Sequence, residues 1–430
     1  MPCRPRRSDS KMKPTEKTKK NSSKVSSRLS LGERVPKLRF PGFEGEWEEY
    51  KLETFMSSRD ERQVPSNEAP LMAFIANIGV SPKGDRYDRE YLVKSKDKEY
   101  KKTEFNDFIY SSNNLDVGSI GLNKYGTAVI SDVYEIFAIK EGYAPNFISE
   151  LIQRPHNLYK VLRFRQGCLY GQYRIYATDF LNVVSRAPHK DEQHKISAFL
   201  SLLDSRIAAQ RKLVELLKKH KRGLSSALFS GKVRIATNAK WKTYRLGDIV
   251  RRVTRKNGKA TDIPLTISAQ HGLIDQREFF SKAVASADMS GYYLLNHGEF
   301  AYNRSSSTEY PFGSIKKLER YHQGAVSTLY ICFEALGDKD DAEFLKWYFD
   351  SFAWHREIGM ICAEGARNHG LLNVPTDGFF DTKHMLPSDK NERKKIASLM
   401  ALADARYKCA QTELDRLTAM KSGILQHMFV

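Results

Sequence analysis

The run EQHKISAFLSLLDSRIAAQRKLVELLKKHKRGLSSALF, Glu192 to Phe229, constrains this chain more than any other stretch. Ile196, Leu200, Leu203, Ile207, Val214, Leu217, Leu224 and Leu228 fall at the alternating four-and-three spacing of a heptad seam, which predicts one long amphipathic helix. At roughly 1.5 Å per residue that helix runs about 50 Å, more than a single compact domain needs to bury a helix face. Residues Glu392 to Phe429 repeat the register without a gap, through Ile396, Met400, Ala403, Tyr407, Leu414, Leu417, Ile424 and Met428. Ten of the 38 aligned positions are identical. Any two amphipathic helices share a seam, but the off-seam identities Asp204/Asp404, Arg206/Arg406 and Gly223/Gly423 do not follow from amphipathicity. They imply an internal duplication in which each helix has its copy as natural partner. The expected seam joins Ile196, Leu203, Ile207, Val214 and Leu217 with Ile396, Ala403, Tyr407, Leu414 and Leu417.

Segments outside the helices repeat too. Trp47, Tyr50 and Leu52 in the first opening have the spacing of Trp241, Tyr244 and Leu246 in the second. Between opening and helix each half carries β-rich runs: LMAFIANIGV, NDFIY, TAVISDVYEIFAI and GQYRIYA in the first, GEFAYN, GAVSTLYICFE and GLLNV in the second. One helix per half is expected, over Pro145–Leu158 and Asp341–Arg356, and Pro188 and Pro387 mark boundaries after which the long helices begin. The expected fold class is therefore α+β: two mixed α/β globules, 36–187 and 231–386, separated by long helices over 188–230 and 387–430, with pseudo-two-fold duplication. Residues 1–35 form a basic tail that composition predicts to be disordered; a nucleic-acid-binding arm, a solvated tail and an upstream start choice, with Met12 as the alternative start, all fit it.

A formal charge of +19 on 430 residues, with 41 % hydrophobic and 11 % aromatic residues, describes a globular protein whose natural partners are polyanions, nucleic acid first and acidic membrane second. No window approaches 18 consecutive apolar residues and the N-terminus has no signal-peptide core, so a soluble, cytoplasmic protein is expected. Five scattered cysteines without a CxxC pair suggest free thiols rather than disulfides or structural zinc.

Catalytic signatures are missing. The chain has no GxxxxGK[ST], no GxGxxG, no HExxH and no Asn/Asp-Pro-Pro-aromatic methyltransferase motif. Glu99-Tyr100-Lys101 after Asp97 is the nearest approach to a nuclease metal site, within a charged run that reads as solvated surface. Basic groups interleaved with aromatics and amides are better represented. RFRQGCLYGQYRIY offers Arg163, Arg165, Gln172, Tyr173 and Arg174; the second half offers Asn303, Arg304 and Ser305, then Arg367 and Asn368. Arg and Asn/Gln can contact guanine and adenine edges bidentately, while Ser suits phosphates. These ten residues are the candidate DNA contacts, with solvent-facing strand positions as the plain alternative.

Taken with the helix copies, PKLRFPGFEGEWEEYKLETF, WKTYRLGDI and HKISAFLSLLDSRIAAQRKLVELLKKHKRGLSSALF resemble the DNA-specificity subunit of type I restriction-modification systems over nearly everything after residue 35. The resemblance implies that each globule is a target-recognition domain for one half of a bipartite double-stranded DNA site. It implies an antiparallel helical spacer that docks two modification subunits, which hold S-adenosylmethionine, and restriction subunits that cut DNA with ATP and Mg²⁺. This chain would then be non-catalytic and hold no cofactor or metal itself. Two features depart from the pattern: the basic N-terminal extension, and a weaker second helix with Cys409, Ala410 and Thr412 where the first has Ala209, Gln210 and Lys212. The alternatives are a nuclease or DNA-modifying enzyme acting alone, or a coiled-coil protein-interaction adaptor.

Overall fold

The computed structural model describes residues 34–82, 97–115, 118–169, 172–235, 240–268, 271–279, 286, 288–362, 370 and 372–430. Within them the two heptad runs are the helices Lys190–Phe229 and Lys390–Met428, each starting two residues before the expected Glu. Strands Val184–Ala187 and Lys383–Pro387 end beside Pro188 and at Pro387, which disfavour helix in the residue before them. Ile196, Leu200, Leu203, Ile207 and Val214 are buried along the first helix, and Ile396, Met400, Ala410 and Leu417 along the second. Leu217, Ala403, Tyr407 and Leu414 are half-buried.

The chain parts into two compact units within these helices: residues up to Ala208 together with Arg416–Val430, and Ala209–Asp415. The last turns of the second helix thus belong with the first half of the chain, a grouping that a linear reading of 387–430 as one element does not contain. Its physical cause is burial. Leu425, Met428 and Phe429 join Trp47, Phe55, Phe108, Tyr110, Phe137, Phe147 and Phe180 in the first unit's core. Phe429 stacks on Phe147 at 5.4 Å between ring centroids and meets Trp47 edge-on at 6.0 Å.

In this first unit the Leu38 N–H donates to the His427 carbonyl over 2.9 Å, satisfying one of the acceptors left over at a helix C-terminus. Arg39 donates twice to the buried Glu192 carboxylate, at 2.8 and 2.7 Å. Lys421 bridges Asp204 at 2.7 Å and Glu150 at 3.2 Å; burial opposes its charge, but the two carboxylates prevail and raise its pKa. An antiparallel sheet runs Met56–Ser58, Tyr134–Ile139, Phe108–Ser111, Ile120–Leu122. Phe108–Ser111 is buried at every position, so it reads as a continuous run rather than an alternation. Ahead of it Asn106 takes φ 68° and Asp107 pairs with Arg59 at 2.9 Å. Where one helix was expected over Pro145–Leu158 there are two, Pro145–Gln153 and Pro155–Leu162. Pro155 forces Arg154 to an extended ψ of 140°.

The second unit has an antiparallel sheet in the order Val250–Val253, Ile331–Ala335, Phe300–Asn303, Ser314–Lys317, and a pair formed by Trp241–Arg245 and Lys383–Pro387. Gly298 at φ 90° precedes Glu299, which pairs with Arg255 at 2.8 Å. The core gathers Leu228, Phe229, Ile396 and Met400 with Phe300, Tyr302, Phe333, Phe344, Trp347, Tyr348, Trp354 and Phe379. Phe229 lies 5.7 Å from Phe344 and 5.8 Å from Tyr348. Lys221 pairs with Asp404, and the Gln210 side chain donates to the Ala410 carbonyl at 2.7 Å, so residue numbers run in opposite directions along the two helical segments of this unit. The helix expected over Asp341–Arg356 is again two, Lys339–Asp350, capped by the Asp338 carboxylate, and His355–Ile361. GLLNV is not a strand over its described residues: the Leu372 N–H donates to Arg304, the Val374 carbonyl accepts from the Arg304 guanidinium, and Pro375 brings no N–H for a ladder.

His384 is buried between Tyr348 and Thr382, whose hydroxyls lie 2.8 Å from Nδ1 and Nε2. Thr382 donates its one hydroxyl proton to the Phe379 carbonyl, so it accepts from Nε2–H, and Tyr348 donates to Nδ1. That arrangement holds the ring neutral, and burial lowers its pKa to about 4. The unfolded chain, with the ordinary histidine value of about 6.5, binds the proton more readily below that pH, so stability falls as pH drops from about 6.5 towards 4. We expect His384 alone to cost the second unit about 3 kcal/mol over that window, read as hydrogen-exchange protection, and His384→Gln to reduce the dependence to the part carried by His355, whose pKa burial also lowers to about 4. An unchanged slope in the variant would remove His384 as the cause.

Candidate nucleic-acid interface

The helix Pro155–Leu162 ends at Arg163, and the chain then forms an antiparallel hairpin of Gln166–Leu169 and Gln172–Arg174. The exit strand is tied to the loop that follows the core strand Phe108–Ser111. The Tyr173 N–H donates to Asn113 Oδ1 at 2.7 Å, the Ile175 N–H to Ser112 Oγ at 3.0 Å, and the Tyr110 hydroxyl donates to the Ile175 carbonyl at 3.0 Å. Burial, with Glu135 nearby, pushes the Tyr110 hydroxyl pKa up, so it stays a donor.

Side chains on this hairpin pair cation with ring. Arg165 sits over the exposed Tyr173 ring at 4.9 Å, and Arg174 over Tyr176 at 4.9 Å. Arg174 also lies 4.0 Å from Glu135, whose other oxygen takes the Lys101 ammonium at 3.1 Å. Lys101, part of the charged run compared with a nuclease fragment, is thereby buried in a structural ion pair. Arg163 is exposed, and Gln172 opens the second strand of the hairpin opposite Leu169. Gln172, Tyr173 and Arg174 therefore share one short ribbon, Arg165 reaches it through the Tyr173 ring, and Arg163 stays at the end of the preceding helix. Sequence reasoning missed Asn113, Ser112 and Tyr176. Tyr176 was legible, because residues two apart on an extended strand share a face and Arg174-Ile175-Tyr176 has that spacing; Asn113 gave only a turn signal.

In the second unit Asn303 ends the strand Phe300–Asn303 and its Oδ1 accepts from the Ser305 N–H at 3.0 Å, leaving Ser305 exposed. Arg304 faces inward: its guanidinium donates to the carbonyls of Val374 at 3.1 Å and Leu329 at 2.9 Å. It positions the loop after the strand rather than presenting a spare fork. Arg367 and Asn368 lie outside the described residues. Among the described residues no group of three or more His, Cys, Asp or Glu is placed to hold a metal ion, and no helix is long and apolar enough to cross a membrane.

A long helix at the end of each half and an antiparallel four-stranded sheet in each unit make up a fold that is shared with a solved type I restriction-modification S subunit. A solved structure described as the S subunit of a type I restriction-modification system from M. genitalium superposes with a TM-score of 0.57 at 15 % identity, covering 92 % of this chain and 99 % of that one. The HsdS subunit from Thermoanaerobacter tengcongensis matches at 0.45 and 15 % identity, covering 91 % and 97 %. A chain from a study of assembly and conformational transition in a type I system matches at 0.48 and 13 %, covering 92 % and 99 %. No family model and no curated protein matches the sequence.

Proposed function

We propose that this chain is the DNA-specificity subunit of a type I restriction-modification complex, each half reading one part of a bipartite double-stranded site. The observation that carries the reading is the fold shared with the M. genitalium S subunit over nearly the whole of both chains. The charge of +19 and the cation-aromatic ribbon of the first unit support it. The two long helices act as an antiparallel spacer and dock two modification subunits; those hold S-adenosylmethionine, and ATP and Mg²⁺ belong to the restriction subunits. Solvent-facing leucines support the docking role. Leu202 is 73 % exposed and its copy Leu402 60 %, on helix faces away from the seam. The chain alone is accordingly expected to self-associate and behave poorly, and to become soluble and monodisperse with a modification subunit.

Methylation mapped over the source genome, with and without this chain, tests the proposal: loss of one bipartite methylated motif is expected, and an unchanged methylome overturns it. DNA binding by the assembled complex is expected to weaken steeply with salt, each phosphate contact adding about −0.9 to the log-log slope. A slope near zero would remove the electrostatic part of the reading.

A further inference from the structure

The first unit holds an arginine that is exposed yet immobilised. Arg174 is 65 % exposed at its side chain, so its donors face solvent, but the backbone on both sides is pinned: Tyr173 N–H on Asn113, Ile175 N–H on Ser112, Ile175 carbonyl under the Tyr110 hydroxyl. The guanidinium carbon sits over the Tyr176 ring, 4.9 Å from its centroid, and Glu135 lies to one side at 4.0 Å, too long for a strong hydrogen bond. Glu135 is itself engaged by Lys101, so it is an incomplete competitor for the arginine. An exposed arginine ordinarily loses much rotamer freedom when it binds; here the ring beneath it and a fixed backbone reduce the freedom left to lose.

A planar fork held rigid with its edge open matches one kind of partner, a pair of adjacent acceptors in its own plane. In duplex DNA that pair is O6 and N7 of guanine in the major groove, where a two-stranded ribbon such as Gln166–Leu169/Gln172–Arg174 has room to enter. We propose that Arg174 reads a guanine in the half-site of the first unit, with Tyr176 as its positioning residue. The inference rests on the DNA-specificity reading above and adds a base to it.

The test uses the full chain assembled with its modification subunit and a library of duplexes randomised at every position. The wild-type complex is expected to select guanine at one position of one half-site. Arg174→Ala and Arg174→Lys are both expected to relax that position to all four bases, lowering discrimination about tenfold or more, because lysine keeps the charge but not the fork. The other half-site stays as it was. Tyr176→Leu is expected to weaken the guanine preference and Tyr176→Phe, which keeps the ring, to preserve it. Guanine preference surviving in Arg174→Lys, or affinity falling equally for all sequences with the salt slope reduced by about 1, would overturn the inference in favour of a phosphate contact. Selection of no sequence by the wild-type complex would instead overturn the specificity-subunit reading and this inference with it.

Discussion

Phe429→Ala is expected to destabilise the first unit while leaving the second unchanged, and Phe229→Ala to do the reverse. The two phenylalanines are copies in the sequence, 200 residues apart, each near the end of a long helix. Phe429 packs on Phe147 and Trp47 in the first core, with the Arg154 guanidinium 5.6 Å from its ring; Phe229 packs on Phe344 and Tyr348 in the second. Both are almost fully buried. Truncating a buried phenylalanine costs about 3–5 kcal/mol, the lost transfer free energy plus the cavity left behind. Hydrogen exchange resolved by peptide measures the effect unit by unit. Phe429→Ala is expected to lower protection across 48–187 and at the end of the second helix. Equal loss in both units from either substitution would mean that the two cores unfold together and that the division has no energetic meaning.

The second large effect concerns distance. Inserting one heptad after Gln210 and another after Ala410 keeps the seam in register and lengthens each helix by roughly 10 Å. The ion pairs Lys221–Asp404 and Lys421–Asp204 lie outside the insertions and are preserved. At about 3.4 Å per base step the gain is close to three base pairs, so the preferred spacer between half-sites is expected to grow by about that amount while the bases read at each end stay the same. Three base pairs also turn one half-site by roughly 100° about the duplex axis, and part of the activity is expected to be lost to the cost of twisting the DNA back. Methylation across a library of spacer lengths measures both. Full activity at the old spacer would show that the helices are not the ruler.

Much of the site was legible as composition and little of it as geometry. RFRQGCLYGQYRIY is visibly a cluster of arginines, amides and tyrosines, and its segments Gln166–Leu169 and Gln172–Arg174 pair as one ribbon. Arg304 shows the limit of such reading. By residue type it equals Arg174, yet its guanidinium is spent on the carbonyls of Val374 and Leu329, from segments 70 and 25 residues away in the chain. Whether an arginine is a tool or a brace depends on which backbone acceptors are left unsatisfied nearby, and that is decided by packing.

The sequence by itself determined the long helices, because a heptad pattern is local: each apolar residue specifies its own face through the 3.6-residue turn, without knowledge of the rest of the chain. It also carries identities off the seam, such as Asp204/Asp404 and Gly223/Gly423, that amphipathicity does not require. Only the tertiary structure decided that the last turns of the second helix complete the first core, that two short helices replace one beside each sheet, and that Ser112 and Asn113 hold the strand carrying Arg174 from about 60 residues away. Those outcomes rest on contacts between distant segments, where side chains of the same type are told apart by what stands opposite them.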